Sequence, residues 1–75
     1  MHRYGNLSGN SGVIAYEIER NAIEVKFHDG WTYLYTYTSA GSHHVETMKK
    51  LAVAGRGLCT HIVGNVRESY ASKRR

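Results

Sequence analysis

The chain has 75 residues and a formal net charge of +4 at pH 7. A domain of this length buries only ~60% of the surface that its unfolded chain exposes, so it supports one small core and no deep pocket that excludes water. The single cysteine excludes an intramolecular disulfide and a zinc site built on cysteine pairs, and no run approaches the ~20 apolar residues of a membrane span.

The N-terminal segment is rich in Gly, Asn and Ser, and it carries neither an apolar period nor the apolar run of a signal peptide. We therefore expect a flexible leader over residues 1–12 and a cytoplasmic location. The first strand is predicted over residues 13–19, with Ile14, Tyr16 and Ile18 alternating on one face.

Two further strands are predicted over residues 22–28 and 31–38, on either side of the hairpin signal Asp29-Gly30. The apolar face of the earlier strand consists of Ile23, Val25 and Phe27. The later strand places four aromatic side chains on one face, namely Trp31, Tyr33, Tyr35 and Tyr37.

The register of this hairpin decides what the aromatic row does, because a shift of one residue exchanges the two faces of a strand. A two-residue loop places Lys26 opposite Tyr33 and creates an exposed platform on which RNA bases could stack. A three-residue loop that ends in a left-handed Gly30 places Val25 opposite Tyr33 and buries the row. Burial of each large side chain is worth ~1.5–3 kcal/mol, so the pattern favours the second register, with Leu34 alone misplaced on the polar face.

Two helices are predicted after the sheet. The first spans residues 43–54, with Ser42 as N-cap, Gly55 as left-handed terminator and an apolar stripe of Val45, Met48, Leu51 and Ala52. The second spans residues 58–70, where Leu58, Ile62, Val66 and Tyr70 recur at every fourth position. The predicted fold class is α+β: a three-stranded antiparallel meander followed by two helices packed on one face, with the domain over residues 13–70 and a basic tail over 71–75.

No constellation of side chains predicts catalysis. His43 and His44 are adjacent and do not share a helical face, and His61 is isolated in sequence. Cys59 and His61 point ~200° apart on a helix, and no nucleophile elbow or phosphate-binding loop occurs. We therefore predict a protein that is not an enzyme, with no metal and no cofactor.

Positive charge is concentrated towards the C-terminus: residues 1–46 carry a net charge of −2 and residues 47–75 a net charge of +6. This asymmetry favours a polyanionic partner, although lysine and arginine are also common at helix C-termini and in solvated tails. The candidate nucleic-acid-binding residues are Lys49, Lys50, Arg56, Arg67, Lys73 and Arg74, and Arg75 extends their reach.

The segment over residues 25–35 resembles the KTSC domain, a family named for the C-terminal region of some lysyl-tRNA synthetases that also occurs as small stand-alone bacterial proteins. The family pattern has Val-x-Phe, a turn glycine and Tyr-x-Tyr, which Val25, Phe27, Gly30, Tyr33 and Tyr35 match. The chain departs from the family in lacking the Val-Pro that commonly follows Tyr-x-Tyr, and Val63 stands where an asparagine is expected.

The resemblance extends over residues 11–70 and includes a closing Ile-Arg-x-x-Tyr, resembled here by residues 66–70. It implies a domain associated with RNA, and the positions it marks are Tyr33, Tyr35, Val66, Arg67 and Tyr70. Charge and resemblance together predict a small module that binds RNA or another polyanion through a basic patch on the helices and does not enter membranes. The alternative is a protein-interaction module or homodimer without enzymatic activity, which the small core, Leu34 and an unpaired sheet edge favour.

Overall fold

The structure, a computed structural model, describes residues 1–7, 9 and 11–75; Ser8 and Asn10 of the predicted leader lie outside the described residues. In this part of the chain one antiparallel sheet has five strands in sequence order, β1 (His2–Arg3), β2 (Val13–Glu19), β3 (Ala22–Phe27), β4 (Thr32–Thr36) and β5 (Ser72–Arg74). Between β4 and β5 lie three helices, α1 (Tyr37–Ala40), α2 (Ser42–Ala54) and α3 (Leu58–His61), and α3 continues as a π-helical segment (Ile62–Val66). The α+β class is as predicted, with two strands and one helix more than expected.

The β3–β4 hairpin adopts the register that buries the aromatic row. Ile23 lies opposite Tyr35, and Val25 lies opposite Tyr33. The side chains of Ile23, Val25 and Tyr35 are buried, whereas Tyr33 is half-buried. The prediction of a three-residue loop is therefore confirmed, and the register that would expose the whole row is not adopted.

The loop itself explains this register. The Phe27 N–H donates a hydrogen bond to the Trp31 carbonyl at 2.9 Å, and this bond closes a loop of three residues, 28–30. Gly30 has a φ of +93°, a conformation that an L side chain adopts only with strain. The Asp29 carboxylate accepts a hydrogen bond from the Trp31 N–H at 3.0 Å and thereby fixes the turn.

A β-bulge in β2 changes the predicted alternation of that strand. The pairing of β2 with β3 shifts between Val13 and Ala15. Val13, which is 1% exposed, consequently enters the core in place of Ile14, which is 43% exposed. The prediction that Ile14 shares the apolar face with Tyr16 and Ile18 is wrong, because the extra residue of the bulge turns it outward.

The described parts of both termini belong to the sheet, whereas the sequence predicted a flexible leader over residues 1–12 and a basic tail outside the domain over 71–75. His2 pairs with Tyr16 at one edge, and Ser72 pairs with Leu34 at the other. Tyr4 is only 3% exposed, and its hydroxyl accepts a hydrogen bond from a backbone N–H of α3 at 3.3 Å. Strands of two and three residues are too short to show an alternation that sequence analysis can detect.

The helices cover the core face of the sheet formed by β3 and β4. They contribute six side chains that are at most 3% exposed: Val45, Met48, Ala52, Leu58, Ile62 and Val66. None of the helices in the described residues has the length and apolar character that crossing a membrane requires.

The helix ends differ from the predictions in two places. The strand predicted over residues 31–38 is β4, and it ends at Thr36, because Thr36 and Ser39 form a capping box that starts α1. Gly41, not Ser42, occupies the N-cap position of α2, whereas Gly55 ends α2 in the left-handed conformation as predicted.

The second predicted helix, over residues 58–70, is α-helical only as far as His61. It widens into the π-helical segment, which contains Gly64, a poor helix former. The chain then turns back to form β5, so Tyr70 lies outside the helix.

Candidate nucleic-acid interface

A groove of about 290 Å³ lies between the strands and the residues that follow α3. We call it the tyrosine groove. Its aromatic members are Phe27, Tyr33, Tyr35 and Tyr70; its aliphatic members are Ile62 and Val63; its charged members are Asp29, Arg67, Glu68 and Lys73. Three tyrosines and two basic side chains from distant parts of the sequence therefore share one concave surface.

The aromatic rings of the groove pack on one another in geometries that aromatic pairs prefer. The Tyr33 ring is edge-on to the Phe27 ring at 5.4 Å and to the Tyr70 ring at 5.0 Å between centroids. Tyr33 and Tyr70 are half-buried, so part of each ring stays accessible to a ligand. Tyr35 is 1% exposed and belongs mainly to the core.

Tyr35 ties the sheet to the opposite side of the groove. Its hydroxyl donates a long hydrogen bond of 3.5 Å to the Arg67 carbonyl. Burial, reinforced by the neighbouring Tyr33 and Tyr70, raises the pKa of Tyr35 to about 12. The Tyr35 hydroxyl is protonated at physiological pH, as an ordinary tyrosine is, and it donates to the backbone that carries Arg67.

Cationic side chains of β5 and the residue after it lie beside the Tyr70 ring of the groove and the neighbouring Trp31 ring. The Lys73 Nζ lies 5.1 Å from the Trp31 ring centroid and 5.6 Å from the Tyr70 ring centroid. The Arg75 guanidinium lies 5.0 Å from the same Trp31 ring. These are cation–π distances, and strand pairing places Lys73 opposite Tyr33. Trp31 and Arg75 thus extend the aromatic and basic character of the groove along β5.

Two carboxylates, those of Asp29 and Glu68, also line the groove. The two basic side chains, Arg67 and Lys73, offset the negative charge of these carboxylates. Carboxylate oxygens can accept hydrogen bonds from the amino groups of bases. A phosphate group has no amino group to donate. Neither acidic residue was singled out for this role from sequence, because a lone Asp or Glu in a polar segment carries no such signal.

The structure divides the predicted basic set instead of gathering it on one surface. Arg67 and Lys73 line the tyrosine groove, whereas Lys50 and Arg56 are exposed on α2 and in the turn after it. Arg74 follows Lys73 in the strand and therefore points to the other face of the sheet. There its guanidinium forms an ion pair with the Glu24 carboxylate of β3 at 2.9 Å.

Lys49 has structural partners. Its Nζ lies 2.8 Å from the Glu46 carboxylate, donates to the Arg20 carbonyl at 2.8 Å, and lies 5.6 Å from the Tyr37 ring centroid. Hydrogen bonds from Lys49 and Tyr37 lower the pKa of Glu46. Lys49 therefore holds α2 to the turn between β2 and β3 and is the least available of the predicted cations.

The residues marked by the family resemblance also separate into two groups. Tyr33, Tyr35, Arg67 and Tyr70 meet at the groove, whereas Val66 is 2% exposed and belongs to the core. No protein-family model, no curated protein and no solved structure matches the chain.

A pair of histidines is a feature that sequence reasoning missed. The Nδ1 atom of His44 lies 3.1 Å from the Nε2 atom of His61, although the two residues are 17 positions apart. Burial, then the neighbouring His44 and His43, lowers the pKa of His61. Within residues 1–7, 9 and 11–75, no group of three or more His, Cys, Asp or Glu side chains is arranged to hold a metal ion.

Proposed function

We propose that the protein is a small non-catalytic module that binds single-stranded RNA in the tyrosine groove. Bases would stack on the accessible parts of Tyr33 and Tyr70, and Arg67 and Lys73 would hold phosphates. The observation that carries the proposal is the position of cationic side chains beside half-buried aromatic rings, with Lys73 within cation–π distance of Tyr70.

This combination suits a single strand better than a duplex. Aromatic side chains stack on unpaired bases whatever their sequence, and basic side chains follow the phosphate backbone. A paired base inside a duplex offers no accessible face to Tyr33 or Tyr70. The net charge of +4 adds attraction to any polyanion at long range.

The resemblance to the KTSC domain supports the same proposal. Its marked tyrosines and arginine are groove residues, and the resemblance itself implies an association with RNA. Membership of that family and a cytoplasmic location stay predictions.

The alternative, a protein-interaction module or homodimer, also stays a prediction. Its support is β5, an outer strand of three residues that are all exposed. Short, positively charged edge strands are a common means of preventing pairing between sheets, however. Lys73 and Arg74 give β5 this character, so the observations favour RNA.

A titration with fluorescently labelled single-stranded RNA at 50 and 200 mM salt tests the proposal. Two or three phosphate contacts would weaken binding about 7- to 18-fold over this range, because each contact releases counterions from the strand. A double-stranded RNA of equal length is the control and should bind more weakly. An absence of binding at 50 mM salt, insensitivity to salt, or equal affinity for the duplex would reject the proposal.

A further inference from the structure

The His44–His61 pair lies outside the tyrosine groove and connects two helices. His44 is in the first turn of α2, and His61 is the last residue of α3. Both side chains are half-buried, and their ring centroids lie 5.2 Å apart. The two facing nitrogens share one hydrogen bond at 3.1 Å, so one imidazole donates while the other presents its lone pair.

The separation of these two nitrogens suits a shared metal ion. Bonds from imidazole nitrogen to a divalent transition metal are ~2.0–2.1 Å long. Two nitrogens bound to one ion therefore lie about 2.8–3.0 Å apart when the nitrogen–metal–nitrogen angle is a right angle, and about 3.3–3.4 Å apart when it is tetrahedral. The observed 3.1 Å falls between these values. The two rings need only turn from facing each other to facing a common point beside them.

A metal ion bound to the Nε2 atom of His61 needs the lone pair of that nitrogen, so the proton of the neutral ring must then lie on Nδ1. The other ring nitrogen of His61 lies 3.4 Å from the Asn65 amide, which also donates to the His61 carbonyl at 3.0 Å. The Asn65 amide is a donor and cannot accept a hydrogen bond from an Nδ1–H, so metal binding at Nε2 would break this long contact and leave the bond to the His61 carbonyl.

We propose that His44 and His61 form a two-imidazole site for a divalent transition metal of the Ni²⁺, Cu²⁺ and Zn²⁺ class. Imidazole suits these ions, and water completes the coordination shell on the exposed side. The ion takes the place of the shared hydrogen, the donating ring then carries its proton on its other nitrogen, and the ion links α2 to α3. His43 belongs to the same cluster, with its ring centroid 5.7 Å from that of His44, but its side chain is exposed and supplies no nitrogen to the contact.

Nickel is the probe of choice for this site, because paramagnetic Ni²⁺ broadens the NMR signals of nearby nuclei. Titration of the ¹⁵N-labelled protein with NiCl₂ should first broaden the amide signals around His44 and His61. His44→Gln and His61→Gln should each raise the apparent Kd at least about tenfold, since the second ligand of a chelate binds at high effective concentration. The matched variant His43→Gln, which removes an adjacent imidazole, should keep the wild-type affinity.

Thermal unfolding supplies a second readout. Because only the folded chain brings the two helices together, NiCl₂ should raise the Tm of the wild type and of His43→Gln but not that of His44→Gln. Broadening centred on His2 or His28, an equal response in all variants, or no change in wild-type Tm would overturn the proposal. None of these outcomes bears on RNA binding, which is measured separately in the presence of a chelator.

Discussion

Replacing Tyr70 by alanine is expected to weaken the binding of single-stranded RNA by about 5- to 150-fold, because stacking of one base on an aromatic ring contributes ~1–3 kcal/mol. Tyr70 is the groove tyrosine best placed for this role. It is half-buried, its ring is edge-on to Tyr33, and the Lys73 ammonium lies beside it. Fluorescence anisotropy with labelled RNA at 50 mM salt measures the effect.

Two variants make this result specific. Tyr70→Phe keeps the ring and should retain most of the affinity, since the stacking surface is unchanged. Tyr16→Ala is the matched control, because Tyr16 is also half-buried but stacks on His2 at 5.6 Å and does not line the groove. Equal losses in Tyr70→Ala and Tyr16→Ala would show that general loosening of the fold, and not the groove, lowers the affinity.

Replacing Tyr4 by alanine is expected to lower the free energy of unfolding by about 3–5 kcal/mol, the cost of deleting a large buried aromatic side chain. A domain of this length has about 4–11 kcal/mol of stability in total, so the variant would be close to unfolding. The structural reason is that Tyr4 is 3% exposed and accepts a hydrogen bond from the Leu58 N–H. Urea denaturation followed by far-UV circular dichroism gives the difference.

The neighbouring substitution Arg3→Ala is the control, because Arg3 is exposed and should change stability by no more than about 0.5 kcal/mol. Tyr4→Phe should cost about 1 kcal/mol through the lost hydrogen bond. If Tyr4→Ala were as stable as Arg3→Ala, residues 1–7 would be part of the flexible leader that the sequence predicts over residues 1–12.

Local patterns in the sequence were sufficient to predict the central hairpin. Val25 and Phe27 alternate with polar residues, and position 30 is a glycine. These features favour the observed register and loop, because a shift of one residue would place the apolar side chains beside charged ones. The bulge that turns Ile14 outward could not be predicted in this way. It depends on how β2 packs against the rest of the core, and an alternating pattern contains no sign of the extra residue.

The candidate site was likewise predictable only in part. Tyr33, Arg67, Tyr70 and Lys73 were each identified from sequence, for different reasons, but their convergence depends on β5 returning along β4. A strand of three charged and polar residues carries no periodic signal, so the return could not be foreseen. The contact between His44 and His61 likewise arises from the packing of α2 on α3 and from no spacing in the sequence.

The central claim, that RNA binds at the tyrosine groove and not to positive charge in general, is tested most directly by two double variants of equal net charge. Arg67→Glu with Lys73→Glu alters the groove, and Lys50→Glu with Arg56→Glu alters exposed residues elsewhere; each pair lowers the formal net charge from +4 to 0. The groove pair should lose at least about tenfold more affinity for single-stranded RNA than the other pair, because it removes phosphate contacts as well as charge. Equal losses in the two double variants would contradict the claim.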